Sequence, residues 1–169
     1  MKFKMTAAFF VIGLLAAQLQ AGSVTETKLA PVDLEQATLT VVDPEGGEVT
    51  YSVEELEQFP TYSLTTTTPW NAEPTLFEGV LLSDVLAKNH LDGAPNIIVT
   101  AENDYQTTLS KALLDSVEIL VATRVDGQAH SRRSRGPIQF IIDADAFRTS
   151  SLTSEANLVW MAARIEGTD

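Results

Sequence analysis

Two stretches of the sequence carry polar side chains in patterns that suit ligand binding, and the first is Asn103-Asp104-Tyr105. It follows directly on residues 96–101, an apolar and β-branched run that predicts a buried strand. Loops at strand ends often hold binding groups on a rigid scaffold. The Asp104 carboxylate can accept two N–H donors from a guanidine-like ligand edge, with Tyr105 as an apolar wall. The alternative is an Asx turn, for which Asn-Asp is ordinary chemistry.

The second stretch is a basic run. Its four arginines lie within twelve residues, at positions Arg124, Arg132, Arg133 and Arg135. Arginine presents planar donors that are always charged and that suit carbonyl oxygens, carboxylates and phosphates. The run therefore predicts either a polar ligand pocket or a docking patch. The alternative is that the arginines neutralise neighbouring acidic side chains on a solvated loop.

A threonine run, residues 65–68, ends at Pro69-Trp70. The hydroxyls of Thr67 and Thr68 can donate to a ligand, although threonine is also simply a good strand former. Trp70 can provide a stacking face at a loop entrance or cap the core. The chain's other tryptophan, Trp160, lies among apolar neighbours and is expected in the core. His130 is expected at the surface, as most histidines are.

Composition excludes several function classes. The chain has 169 residues, no cysteine and two histidines, so disulfides, catalytic thiols, Cys-ligated metals and three-histidine zinc sites are impossible. A nucleophile elbow, a glycine-rich phosphate loop and a His-Glu-x-x-His motif are all missing from the sequence. The formal net charge of −12 disfavours nucleic acid and anionic membrane surfaces as partners. A small molecule or another protein is the better expectation.

The N-terminus has the plan of an export signal. Two lysines, an uncharged apolar run and a small-residue exit before Gly22 predict a secretory signal peptide over residues 1–21, too short in its apolar part to span a bilayer comfortably. We expect cleavage after Ala21 and no membrane insertion afterwards. Residues 22–36 carry little apolar pattern and predict a flexible leader, and residues 37–166 predict one domain. Export without a lipoprotein cysteine indicates the periplasm.

The remaining pattern predicts many short strands and a few short helices. Turn signals such as Pro44-Glu45-Gly46-Gly47 separate apolar runs of strand length. Ser52 and Glu55 fit a capping box that starts a helix ending before Pro60. Apolar spacing predicts a second helix through Leu82 and Leu86. The fold class predicted is α+β, single-domain and rich in sheet.

Five motifs in order resemble the molybdopterin-binding oxidoreductase domain of the sulfite oxidase fold, and most closely its short exported branch. They are TTTTPW at 65–70, FEGVLLSDVL at 77–86, ENDYQTTL at 102–109, RSRGPIQFIID at 133–143 and LVWMAARI at 158–165. Catalytic members of this fold ligate molybdenum through a cysteine after the strand that corresponds to residues 62–68. This chain has threonine, proline and tryptophan there, and hydroxyl groups do not replace a soft thiolate.

Within the short branch, the sequence resembles periplasmic pterin-binding regulators. The resemblance implies a reduced pterin such as tetrahydromonapterin as ligand, no molybdenum and no catalysis. It also implies a membrane-bound partner, a diguanylate cyclase/phosphodiesterase with a periplasmic segment, and so a role in cyclic-di-GMP signalling and biofilm regulation.

The same resemblance assigns candidate ligand contacts. Asp104 would pair with the pyrimidine edge, and Arg133 or Arg135 would donate to the carbonyl oxygen. Trp70 and Tyr105 would stack on the bicyclic ring. Side-chain hydroxyls of the ligand would be bound by Asn103, Thr67 or Thr68, and Gly136 and Pro137 would let the backbone approach closely.

Two alternatives remain at this point. One is an oxidoreductase subunit that keeps the molybdopterin cofactor through an oxygen ligand in place of the thiolate. The other is a protein adaptor without ligand, in which the basic run is the docking patch.

Overall fold

The computed structural model describes residues 23–168. The predicted signal peptide, residues 1–21, therefore lies outside the described residues. The strands are β1 (Thr25–Glu26), β2 (Thr38–Val42), β3 (Glu48–Ser52), β4 (Thr61–Thr68), β5 (Asn71–Leu81), β6 (Asn96–Ala101), β7 (Gln106–Ser110), β8 (Leu120–Val125), β9 (Gln128–Ala129), β10 (Gln139–Ile141) and β11 (Ala162–Thr168). The helices are α1 (Val53–Leu56), α2 (Leu82–Lys88), α3 (Lys111–Leu114) and α4 (Ala144–Thr149), with 3-10 turns at Arg132–Ser134 and Glu155–Asn157.

The strands form two sheets. The first has the order β1-β4-β5-β8-β10, with β9 paired to β8, and the second has the order β3-β2-β11-β6-β7. All pairs are antiparallel except β11 with β2. This arrangement confirms the predicted single-domain α+β fold with much sheet and few short helices.

Alternating apolar residues place the core between the two sheets. Leu39, Val99 and Ile165 of the second sheet belong to the same buried cluster as Val121 and Phe140 of the first. Such burial contributes about 25 cal/mol per Å² of apolar surface removed from water. The strands are continuous with this core, so they fix the positions of the loops at their ends.

The other face of the first sheet holds a smaller apolar cluster. Leu64, Phe77, Leu120 and Ile141 are buried there, and Val24 of the leader packs against them. The strand β8 is therefore covered on both faces, which explains why its apolar run is continuous and not alternating.

Local signals explain the helix starts. The Glu55 amide donates to the Ser52 hydroxyl while the Glu55 carboxylate accepts from the Ser52 amide, which confirms the predicted capping box. Helix α4, which the sequence pattern did not predict, begins where the Asp143 carboxylate accepts from the Asp145 and Ala146 amides. The longest helix described, α2, has seven residues. Within residues 23–168 none has the length and apolar character of a membrane-spanning segment.

The segment predicted as a flexible leader lies against the domain. Strand β1 pairs with β4, and the Thr27 amide donates to the Thr61 carbonyl oxygen at 2.8 Å. Further along, the Arg124 guanidinium donates to the Ala30 carbonyl oxygen. The predicted domain limits at residues 37–166 remain a prediction.

We predict that Gly79→Ala destabilises the protein. A β-carbon at this position would overlap the Val121 carbonyl oxygen and lie 2.9 Å from the Ala122 Cα, so strands β5 and β8 would have to separate. Overpacking of this kind costs about 1–3 kcal/mol, measured as the free energy of unfolding in urea. The control is Gly93→Ala, where a β-carbon meets nothing within 4 Å. Equal stability of the two variants would contradict the prediction.

Candidate functional site

Three loops meet at the candidate site through backbone hydrogen bonds to Met161. The Met161 amide donates to the Arg135 carbonyl oxygen at 3.2 Å, and the Glu102 amide donates to the Met161 carbonyl oxygen at 2.8 Å. The basic run, the segment before β11 and the β6–β7 turn are thereby joined. Trp70 enters from a fourth loop, the β4–β5 turn.

The centre of the site is the tryptophan–arginine cluster, formed by Trp70, Arg135 and Trp160. The two indoles stack with ring centroids 6.1 Å apart and an angle of 10° between planes. The Arg135 Cζ lies 4.7 Å from the Trp70 centroid and 4.9 Å from the Trp160 centroid. A guanidinium in this position gains about 0.5–2 kcal/mol from each ring, depending on desolvation.

Trp160 was expected in the core, and the structure corrects this. Its side chain is 44 % exposed and forms one wall of the cluster. The backbone explains the difference, because Met161 has a φ of 52° and the chain turns before it enters β11. Leu158 and Val159 are buried as expected, while the next side chain points outward. Trp70 is half-buried and packs against the core edge.

Local geometry sets the position of Arg135. The Arg135 amide closes the 3-10 turn on the Arg132 carbonyl oxygen at 3.3 Å, and Arg135 itself is left-handed with a φ of 76°. The Gly136–Pro137 peptide bond is cis, and both residues are buried. The Gly136 amide donates to the Ser131 carbonyl oxygen at 2.9 Å. A β-carbon at Gly136 would lie 2.6 Å from the His130 ring, which accounts for glycine there.

The buried polar atoms without a partner among the described residues include Nδ1 of His130 and Nε2 of Gln139 beneath the Gly136 loop, and two further ones lie on residues predicted above as ligand contacts. These two are Nε of Arg135 and Oγ1 of Thr68, the last residue of β4. Buried polar groups are normally hydrogen-bonded, and an unpaired one costs about 1–3 kcal/mol. These atoms are therefore suited to contact a polar ligand. Thr67 is half-buried, and the hydroxyl of its neighbour Thr66 accepts from the Ala144 amide at 2.8 Å, which ties β4 to α4.

The β6–β7 turn has the predicted Asx geometry, while ligand binding by its side chains stays a prediction. Its Asn103 carbonyl Oδ1 accepts from the Tyr105 amide at 3.3 Å, so the tripeptide is an Asx turn. Asp104 is left-handed with a φ of 63°, and its amide donates to the Ala101 carbonyl oxygen at 3.0 Å. All three side chains are exposed. The turn geometry therefore presents the Asp104 carboxylate and the Tyr105 ring to solvent.

The four arginines of the basic run lie in different environments. Arg124 is buried and forms a two-contact ion pair with Glu57, at 2.9 and 2.6 Å. Arg132 pairs with Glu102 on the β6–β7 turn. Arg133 is exposed and takes part in none of the ion pairs between described residues, and Arg135 lies on the tryptophans. Glu57 and Glu102 thus neutralise Arg124 and Arg132 as the alternative predicted, although Arg124 lies in the buried strand β8 and not on a solvated loop.

His130 is buried, against the expectation of a surface position. Its Nε2 lies 2.8 Å from Oε1 of Gln139, and Phe77 packs edge-on with ring centroids 6.5 Å apart. Burial lowers the pKa of His130, and the nearby Arg135 charge lowers it further, while the hydrogen bond to Gln139 opposes both. The imidazole is therefore held in its neutral form beneath the Gly136 backbone.

The described side chains do not form a set that would hold a metal ion by themselves. The chain has no cysteine, and within residues 23–168 no group of three histidine or acidic side chains is placed to hold an ion. The orphaned donor of Arg135 and hydroxyl of Thr68 instead fit a polar organic group.

Comparison with known proteins identifies a structural relative. Neither family models nor curated protein sequences match the chain. Among solved structures, the sulfane dehydrogenase SoxCD from Paracoccus pantotrophus matches with a TM-score of 0.59 at 13 % sequence identity. The match covers 99 % of this chain and 56 % of that one, so this chain spans little more than half of its relative.

The fold is sulfite-oxidase-like. At this level of identity the likeness establishes the architecture and not the activity. The predicted fold is thereby confirmed.

We predict that His130 makes the stability depend on pH. Because its pKa is lowered in the folded state, the unfolded state takes up the proton first as the pH falls through about 6.5. The stabilising contribution is present above that pH and is lost below it, at up to about 1.4 kcal/mol per pH unit. Urea unfolding between about pH 8 and pH 5 should show a shallower pH dependence for His130→Asn than for wild type.

The matched control is His90→Asn, because His90 is exposed and left-handed, a conformation that asparagine tolerates. This variant should keep the wild-type pH dependence. A parallel change in both variants would show that burial of His130 is not the cause.

Proposed function

We propose that this protein is a periplasmic pterin-binding protein without catalytic activity, which relays the presence of a reduced pterin such as tetrahydromonapterin to a membrane-bound cyclic-di-GMP enzyme. The observation that carries the proposal is the tryptophan–arginine cluster, with the unpaired Nε of Arg135 beside two stacked indoles. A flat, polar heterocycle matches both features, because its face stacks on indole and its carbonyl oxygen accepts from guanidinium.

The β6–β7 turn supplies the complementary group. The pyrimidine edge of a pterin presents parallel N–H donors, and the exposed Asp104 carboxylate has two oxygens to accept them. The hydrogen bonds through Met161 hold this turn at the same end of the molecule as Arg135. Tyr105 and Trp160, both largely exposed, offer the apolar faces. In this proposal Arg133 attracts the ligand, and Thr68 and Asn103 bind its side chain.

A non-catalytic role is favoured by the missing thiolate. The sulfite-oxidase-like fold is also compatible with an oxidoreductase subunit, since the structural relative is a sulfane dehydrogenase. Oxygen ligands alone are poor substitutes for a thiolate on molybdenum. Elemental analysis after expression in a molybdenum-replete host separates the two roles, and stoichiometric metal would favour the enzyme.

Export is inferred from the N-terminal sequence, and the partner from the resemblance to periplasmic pterin-binding regulators. Residues 1–21 resemble a signal peptide, and the acidic chain favours a protein or small molecule over nucleic acid. The partner proposed is the periplasmic segment of a transmembrane diguanylate cyclase/phosphodiesterase. Binding of that segment with and without pterin measures the relay.

We predict saturable binding of tetrahydromonapterin by anaerobic calorimetry, with quenching of the tryptophan emission. Both tryptophans of the chain lie in the cluster, so the tryptophan emission, excited selectively over that of the three tyrosines, reports on the site. Asp104→Asn and Trp160→Ala should each weaken binding about tenfold or more, since each removes a contact worth about 1–3 kcal/mol.

Asp115→Asn is the matched control, because Asp115 is an exposed acidic residue paired with Lys111 on α3. It should bind as wild type does. Absence of any binding heat from the wild-type protein would refute the function, whereas normal binding by Asp104→Asn would refute only the assigned carboxylate.

A further inference from the structure

Arg132 connects the candidate site to the leader. Its Nη2 lies 2.8 Å from Oε1 of Glu102 and its Nε lies 3.2 Å from Oε2, so the pair has two parallel contacts. Its Nη1 lies 3.7 Å from a carboxylate oxygen of Glu35, in the segment between β1 and β2. One guanidinium thus touches the β6–β7 turn on one side and the leader on the other.

The pair with Glu102 completes a closed set of contacts around Arg135. Arg132 opens the 3-10 turn on which the Arg135 amide closes. The Arg135 carbonyl oxygen accepts from Met161, whose own carbonyl oxygen accepts from Glu102. The side-chain pair between Glu102 and Arg132 closes the ring. The position of Arg135 over the tryptophans therefore depends on this ion pair as well as on the backbone.

The leader side of Arg132 borders a large cleft. The cleft has a volume of 1160 Å³ and lies between residues 28–38 and the domain, with Arg132 and Glu102 in its lining. Between β1 and β2 the leader has no regular secondary structure. Thr25 and Thr27 tie the start of the leader to β4. Over residues 28–36, its contacts with the domain outside the Glu35 pair include the hydrogen bond at Ala30 and the packing of Leu34 on the core. A segment held by few contacts shifts readily when one of them changes.

We propose that Arg132 is a positioning residue that couples the tryptophan–arginine cluster to the leader, so that ligand in the cluster changes how firmly the leader is held against the cleft. The part of this proposal that concerns ligand rests on the proposed function. The structural coupling between the cluster and the leader does not depend on that function. Coupled binding is reciprocal. If a partner draws the leader away and thereby changes the affinity for ligand by some factor, ligand must change the affinity for that partner by the same factor.

The first test measures the cluster without ligand. Arg132→Gln and Glu102→Gln should each shift the tryptophan emission and raise its quenching by acrylamide, because Arg135 leaves the indoles. Exposed ion pairs contribute little to folding, so both variants should keep the wild-type circular dichroism. Arg148→Gln, which removes the exposed pair with Asp145 on α4, is the control and should leave the emission unchanged. Unchanged emission in both test variants would overturn the proposal.

The second test exchanges the charges. The double variant Arg132→Glu with Glu102→Arg restores an ion pair at the site but places a like charge opposite Glu35. It should recover the wild-type emission without restoring the leader contact. If Arg132 only supported the fold, the exchange would not restore the emission while leaving the leader contact broken. An exchanged variant that folds but keeps the altered emission would overturn the positioning role.

The third test observes the leader directly. The chain has no cysteine, so Gln36→Cys takes a single nitroxide label at an exposed leader position. The label should be more mobile in Arg132→Gln, in Glu35→Gln and in the exchanged variant than in the labelled wild type. Equal mobility in all of them would overturn the coupling.

The ligand experiment separates this inference from the proposed function. Tetrahydromonapterin should reduce label mobility in the wild type, and Arg132→Gln should bind it at least about threefold more weakly, the size of effect expected for an exposed pair. If the wild type binds no pterin while the ligand-free tests succeed, the function is wrong and the coupling stands. If pterin binds normally to Arg132→Gln and leaves the label unchanged, the coupling is wrong and the function stands.

Discussion

The candidate site depends on the close approach of Gly136 to His130. The backbone at residue 136 leaves no room for a side chain, because a β-carbon would overlap the His130 carbonyl group and ring. This contact holds the loop against β8 and β10, and so fixes where the left-handed Arg135 projects. With the loop so placed, the hydrogen bond to Met161 and the Arg132–Glu102 ion pair set Arg135 beside Trp160. The neutral, buried imidazole is thus a structural support for a charged group outside it.

Much of the fold could be predicted from local pattern. Alternating residues in 96–101 give a strand with one buried face, and the Ser52 capping box gives the start of α1. Helix α4 escaped prediction because its six residues follow an apolar strand without a break, and only the Asp143 cap marks its start. The contacts of the leader with the domain could not be predicted from the sequence. They are made by single residues such as Val24 and by backbone groups, which leave no periodic pattern.

The candidate residues of the site could be named from the sequence, but the contacts between them could not. Trp70, Asp104 and Arg135 are recognisable as binding chemistry, yet the stacking of Trp70 on Trp160 joins positions far apart in the chain. The four arginines have identical chemistry in the sequence, and only their partners distinguish them. Those partners come from distant strands and turns, as with Glu57 for Arg124 and Glu102 for Arg132. The local sequence around each arginine does not indicate which distant carboxylate will pair with it.

The charge of Arg135 is not compensated by a carboxylate, which distinguishes it from Arg124 and Arg132. Indole rings attract the Arg135 guanidinium without neutralising it, whereas carboxylates neutralise Arg124 and Arg132. In a chain with a net charge of −12, this leaves a positive group at a half-buried position, where water screens it less than at the surface. Because Arg132 also neutralises Glu102, the Asp104 carboxylate beside it remains the acceptor on the β6–β7 turn.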